Sequence, residues 1–236
     1  MQTEVHGDGR AVANAAAEFI AAESRRCVED RGRFNLAVSG GDTPRVMLRA
    51  LADMAVPWER VHVFQVDERV APLGDPARNL TQLHECLLSR VPMRPEQVHA
   101  MPVEQADLDA AARSYAAVLC AIAGTPPVLD LVHLGLGVDG HTASLVPGDP
   151  SLEVLDAEVT PAGPYQGRRR MTLTFPAIDR ARRVLWVVTG ESKAAVLQRL
   201  LAGHRTIPAG RVRQYRAVLI ADRAAALRFS TEQSAP

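Results

Sequence analysis

The sequence predicts an α/β fold, a Rossmann-like and mainly parallel sheet covered by helices on both faces. Two observations carry this expectation. Short runs rich in Val, Leu and Ile alternate with Ala-, Leu- and Arg-rich stretches of helical periodicity. The short runs are also apolar almost throughout, as strands buried on both faces must be. No internal repeat or low-complexity linker interrupts the alternation, so residues 1–236 read as a single domain.

The strands are expected at residues 34–39 (FNLAVS), 61–66 (VHVFQV), 129–134 (LDLVHL), 171–175 (MTLTF), 184–189 (VLWVVT) and 217–221 (AVLIA). The helices are expected at 11–30, 44–55, 79–90, 107–123 and 191–202, where apolar residues recur at helical spacing. Thr43 followed by Pro44 reads as an N-cap with proline at the first helical position. Thr189 or Ser192 would cap the helix at 191–202. Residues 161–170 (PAGPYQGRRR) are the most loop-like stretch.

Composition narrows the class. The chain has 236 residues, with 27 basic side chains balanced by 27 acidic ones, and 47% hydrophobic residues. That is an ordinary globular composition, not a disordered one. Zero net charge argues against nucleic acid as the main partner. Cys27, Cys86 and Cys120 lie far apart with no CxxC pair, which suits a reducing cytosol better than a disulfide framework or zinc site. The first ten residues lack a signal peptide pattern, and no apolar run has membrane-spanning length. A cytoplasmic protein without a membrane partner is expected. Of the 27 cations, 26 are arginine and one is lysine, Lys193.

Ligands of open α/β sheets bind beyond the carboxyl ends of the strands, so the loops there carry the functional expectations. Ser39-Gly40-Gly41-Asp42-Thr43-Pro44 joins a strand to a helix start. Its glycines allow close backbone approach, and the helix end directs free N–H groups at the same place, which makes an anion site. It is not a Walker loop, which needs GxxxxGK[ST]. Asp67-Glu68-Arg69 follows the second strand. Gly135-Leu136-Gly137-Val138-Asp139-Gly140-His141 follows the third and matches GxGxxG. As a dinucleotide fingerprint it is a decoy, because it lies past the middle of the chain and any following helix would stop at Pro147. What it holds instead is an acid, Asp139, and a base, His141, on a glycine-rich turn. The chain has no HExxH and no GxSxG, so a helical zinc site and a serine hydrolase elbow lack support. Arg170 is the arginine of the 168–170 triplet nearest a strand, placed for a forked contact with phosphate or carboxylate. Lys193 sits in the first turn of a helix, where a cation is unfavourable unless an anion is near.

In order, SGGDTP, QVDER, GLGVDGHTASLVPG, RRRMTLTFPAI, VTGESKAAVL and PAGRV resemble the motifs of the 6-phosphogluconolactonases, from about residue 34 to 222. That family hydrolyses 6-phosphoglucono-1,5-lactone to 6-phosphogluconate. The resemblance implies that Ser39, Gly40, Gly41, Thr43, Asp67, Arg170 and Lys193 form the substrate and phosphate site. It implies His141 as the general base, Asp139 as its orienting partner, and Arg69 over the lactone end. The chain departs from the family at Asp42, where serine is common, at Val146, usually Phe, and at Arg78, often Ser. A δ-lactone is an activated ester, so a positioned water, a base and an oxyanion stabiliser suffice; no cofactor and no metal is expected. The partner expected is a small sugar-phosphate lactone, with the chain a monomer or small homo-oligomer. Two rivals remain. Glucosamine-6-phosphate isomerases/deaminases share the phosphate turn and DGH loop, but resemble DGHIAFNEPG where this chain has DGHTASLVPG. A non-catalytic sugar-phosphate sensor would need a DNA-binding module, for which about 33 residues before the first clear strand leave too little room.

Overall fold

The structure, a computed structural model, describes residues 1–227; the part of the single-domain expectation that falls on 228–236 lies outside them. Ten strands and seven α-helices are described. The strands are β1 (Gln2–His6), β2 (Phe34–Val38), β3 (Val61–Gln65), β4 (Asp67–Arg69), β5 (Val98–His99), β6 (Leu131–Leu134), β7 (Val159–Tyr165), β8 (Arg168–Leu173), β9 (Arg183–Val188) and β10 (Ala217–Asp222). The helices are α1 (Gly9–Arg31), α2 (Asp42–Ala52), α3 (Asn79–Cys86), α4 (Leu108–Ala123), α5 (Phe175–Asp179), α6 (Ala194–Leu201) and α7 (Pro208–Arg211).

Seven strands form one parallel sheet in the order β1-β10-β9-β6-β2-β3-β5. Its strands sort their side chains alternately to two apolar layers. Leu36, Val38, Leu185, Val187, Val218 and Ile220 join the layer under α1 and α2. Ala37, Trp186, Val188, Leu219 and Ala221 join the layer that includes Leu108, Tyr115 and Leu119 of α4 and Val196 and Leu197 of α6. Each fully buried Leu or Phe contributes roughly 1.5–3 kcal/mol by leaving water, so covering both faces is what makes near-continuous apolar strands stable. α1 has clear end signals. Asp8 accepts from the Ala11 amide at 2.9 Å, and Gly32, at φ 74°, closes the other end.

The structure corrects several expectations. Residues 171–175 do not enter the parallel sheet. β8 lies in a separate antiparallel sheet, β4-β8-β7, and Phe175 already belongs to α5, capped by Thr174. An apolar run reports burial but not which sheet buries it. The loop-like stretch from residue 161 is mostly strand. Pro161 and Pro164 are tolerated because β7 is an edge strand with an irregular register between Ala162 and Tyr165. A tight turn at Gln166 (φ 53°) and Gly167 (φ 76°) joins β7 to β8, with the positive φ values that two-residue hairpins need. Helix α2 begins two residues earlier than expected, with Gly41 in the cap position and Thr43 inside the first turn. Pro44 is accommodated there because first-turn amides have no intrahelical acceptor. Neither Thr189 nor Ser192 caps a helix; Gly190 precedes a 3-10 turn (Glu191–Lys193) that leads into α6. The expected helix at 79–90 ends at Cys86 and tightens into a 3-10 turn at Leu88–Arg90.

Candidate active site

From β2 the chain proceeds to β3 and β5 on one side, then returns to place β6, β9 and β10 on the other. β2 and β6 are therefore neighbours whose following loops diverge, and a crevice opens above them. Ser39 ties the two strands together there. Its amide donates to His133 Nδ1 at 3.3 Å and its Oγ to the His133 carbonyl at 3.0 Å. The cleft above has a volume of about 600 Å³. Of the ten residues expected to form the site, nine line it: Ser39, Gly40, Gly41, Thr43, Asp67, Arg69, His141, Arg170 and Lys193. The tenth, Asp139, stands behind His141.

The His141–Asp139 pair is built by its loop. His141 Nδ1 lies 2.6 Å from Asp139 Oδ1, and the His141 amide donates to the same oxygen at 3.1 Å. An ionised carboxylate can only accept, so Nδ1 carries the proton and Nε2 is left as a free acceptor. Burial pushes the Asp139 carboxyl up, but the His141 amide and ring outweigh it and hold the acid below its ordinary value. Gly137 makes room for the pair: a Cβ there would lie 2.1 Å from His141 Nδ1. Gly140, at φ 89°, faces Ile207, and its carbonyl accepts from the Ala209 amide at 2.9 Å. No α-helix starts within this loop; Thr142 and Leu145 bridge it instead, and a 3-10 turn follows at Pro150–Glu153.

The acidic strand β4 is an internal scaffold. Asp67 is buried, accepting from Ser144 Oγ at 2.6 Å and Asn79 Nδ2 at 3.2 Å. Burial raises its carboxyl against the Ser144 hydrogen bond and the charges of Arg69 and Arg170. Glu68 is fully buried and accepts from the Asn79 and Leu80 amides, fastening the start of α3. Arg78, one of the departures from the family pattern, pairs with Glu68 at 3.0 Å and is buried with it. Gly40 owes its small size to this scaffold, because a Cβ there would lie 1.9 Å from Asn79 Oδ1. Asn79 in turn accepts from Arg69 Nη1 at 2.7 Å.

The remaining cations surround the cleft. Arg170 is buried, 5.1 Å from the centre of the Tyr165 ring and 3.9 Å from Asp67 Oδ2, and burial pushes its guanidinium down. Its two triplet neighbours, Arg168 and Arg169, are exposed. Lys193 makes no ion pair among the described residues, and burial lowers its ammonium against the attraction of Asp139. Thr43 Oγ1 and Thr189 Oγ1 share a hydrogen bond of 2.7 Å across the cleft wall. Asp42 also lines the cleft and is exposed. No group of three or more His, Cys, Asp or Glu side chains among the described residues is placed to hold a metal. No described helix is long and apolar enough to cross a membrane.

Sequence reasoning missed three cleft contributors. Tyr165 packs edge-on against His141 at 5.1 Å and donates to Asp139 Oδ2 at 3.3 Å. Ser144 and Asn79 hold Asp67. The DGHTAS motif pointed to Ser144's loop, but nothing in a Pro-flanked tyrosine marked Tyr165.

A cation-ringed cleft at the switch point of a parallel sheet, with an acid–base pair at its edge, defines an α/β protein that handles small anionic ligands. The chain belongs to the glucosamine-6-phosphate isomerases/6-phosphogluconolactonase family, whose model matches residues 7–220. It is 40% identical over 181 residues to a 6-phosphogluconolactonase of Synechocystis, covering 75% of each chain. A solved 6-phosphogluconolactonase from Thermotoga maritima superposes with a TM-score of 0.84 at 27% identity, over 94% of this chain and 98% of that one. A monomeric glucosamine-6-phosphate deaminase superposes almost as well, with a TM-score of 0.83 at 18% identity over 96% of this chain and 99% of that one. The fold alone therefore does not separate the two activities.

Proposed function

We propose that this protein hydrolyses 6-phospho-D-glucono-1,5-lactone to 6-phospho-D-gluconate, with water activated by His141 and no covalent intermediate. The observation that carries the reading is the His141–Asp139 pair, its Nε2 left free, in a cleft that also holds Lys193, which has no ion-pair partner among the described residues. The curated relative's name supports the same chemistry, as does the DGHTAS sequence after the loop.

In this reading the phosphate is gripped by Lys193, Arg170 and the first-turn amides of α2 beside Gly40, Gly41 and Thr43, with Ser39 and Asp67 bracing the wall. That grip supplies remote binding energy and orientation. Nε2 of His141 takes a proton from water as the oxygen attacks C1. Asp139 steadies the imidazolium that forms. Arg69, or backbone N–H groups, stabilises the oxyanion before the ring C–O bond breaks and the proton returns to the leaving oxygen. The dispersed free thiols support a reducing, cytoplasmic setting, and nothing in the cleft requires a second copy.

The test is turnover of freshly generated lactone above its spontaneous hydrolysis. Wild-type protein accelerates the reaction; His141→Ala loses about 10²–10⁴-fold in kcat with little change in KM. Near-normal kcat in the variant would falsify the base assignment. Ammonia release from glucosamine 6-phosphate would favour the deaminase reading instead.

A further inference from the structure

On a different surface, Arg180, Arg205, Arg211 and Arg213 converge with Asp179 on a second pocket of about 300 Å³ whose wall includes Phe175. The four guanidiniums are not equally committed. Arg211 is used up: it donates to Glu153 and to the Leu152 carbonyl, both at 2.9 Å, and lies 4.6 Å over the Phe175 ring. Arg180 donates through Nε to the Pro127 carbonyl at 3.3 Å and through Nη2 to Glu158, which leaves Nη1. Arg213 has its Nε 3.7 Å from Asp179 Oδ2, while its amide donates to Oδ1 at 2.8 Å, so both Nη groups remain open. Arg205 has no ion-pair or hydrogen-bond partner among the described residues.

Three acids, Asp179, Glu153 and Glu158, thus balance three of the arginines, and one complete guanidinium fork is in excess. Excess arginines on a convex surface are simply solvated. Here the excess faces a concavity whose accessible apolar lining includes the exposed Leu155 and the partly buried Pro176, where a forked donor set and an apolar surface meet. Guanidinium forks match the oxygens of phosphate, and the wall matches an organic substituent. We propose that this pocket is a second anion site that binds a small phosphate monoester, separate from the catalytic cleft. It shares α7 with the catalytic loop, since Arg211 ends that helix while Ile207 and Ala209 at its start hold Gly140.

The test uses phenyl phosphate as the probe and the full chain, titrated by calorimetry. The catalytic cleft is weakened by Lys193→Ala, so that binding there does not mask the second site. In that background one binding event is expected to persist. Adding Arg205→Ala and Arg213→Ala, both exposed positions that leave the fold intact, should weaken it at least ten-fold. In the Lys193 wild-type background the same arginine pair should leave lactone kcat/KM unchanged. Binding that is lost with Lys193→Ala alone, or that is indifferent to the arginine pair, overturns the proposal. Because the readout is binding rather than turnover, failure of the lactonase reading and failure of this one are distinguishable.

Discussion

Tyr165 touches more of the proposed machinery than any other side chain that sequence reasoning passed over. Its hydroxyl meets Asp139, its ring meets His141, and its face carries Arg170. Tyr165→Phe removes only the hydroxyl. A hydrogen bond to an ionised carboxylate is worth about 1.5–3 kcal/mol, so kcat is expected to fall at least ~10-fold with KM held. Tyr165→Ala also uncovers Arg170 and should raise KM, a split that steady-state kinetics would read. Lys193 makes the opposite case. It is legible by composition alone, the one ammonium among 27 cations, and it comes to rest half-buried in the cleft. Lys193→Arg keeps the charge but brings a larger, planar head. A rise of about ten-fold in KM is expected; unchanged KM would mean that the lysine is there by chance.

Among the elements, the loop after β6 shows how glycine placement creates chemistry. By spacing alone the three glycines of GLGVDG match a dinucleotide fingerprint, which is a decoy. The structure gives Gly137 a different task, to leave space for the acid–base pair. Gly137→Ala would press a methyl group against His141 Nδ1 and Asp139 Oδ1, at 2.1 and 2.7 Å if nothing moved. The pair must shift, and kcat should fall at least ten-fold while the melting temperature changes by only a few degrees, since the clash is confined to a loop. Kinetics and a melting curve on the same preparation check both halves. Element identity was legible wherever burial and period agreed, as in β2, β3, β6, β9 and β10. It was not legible for β7, whose prolines disguise an edge strand, for β1, an edge strand that is mostly polar and exposed, or for β5, two residues at the opposite edge of the main sheet.

Taken as a whole, the molecule hides an ionisable group beneath its cleft. His133 is completely buried, its Nδ1 accepts from the Ser39 amide, and burial pushes its pKa down to about 4. His99 is pushed to about 4 as well, by burial and then by the charge of His62. An unfolded histidine titrates near 6.5. Between those values the unfolded chain binds more protons than the native one at these two sites, so their contribution to stability rises with pH from about 4 to 6.5, while the raised carboxyls of Asp67 and Asp179 act in the opposite sense. For His133 the whole span is worth up to ~3 kcal/mol. Urea midpoints at pH 4.5, 5.5 and 7 should climb in that order, and His133→Gln should flatten the climb. An equal slope in the variant would remove His133 as a cause.

The local sequence determined the alternation of strands and helices, the two-sided burial of the sheet, and the loops where an acid, a base and a lone ammonium would lie. Those features depend on period, composition and residues a few positions apart. Only the tertiary structure decided that the loops meet at the β2–β6 switch point, that β8 serves a second sheet, and that Gly40 makes way for Asn79. Thr43 and Thr189 show the reason, for they share a hydrogen bond across 146 residues of chain. Contacts of that separation follow from strand order and from the packing of two apolar layers, and no local pattern encodes them.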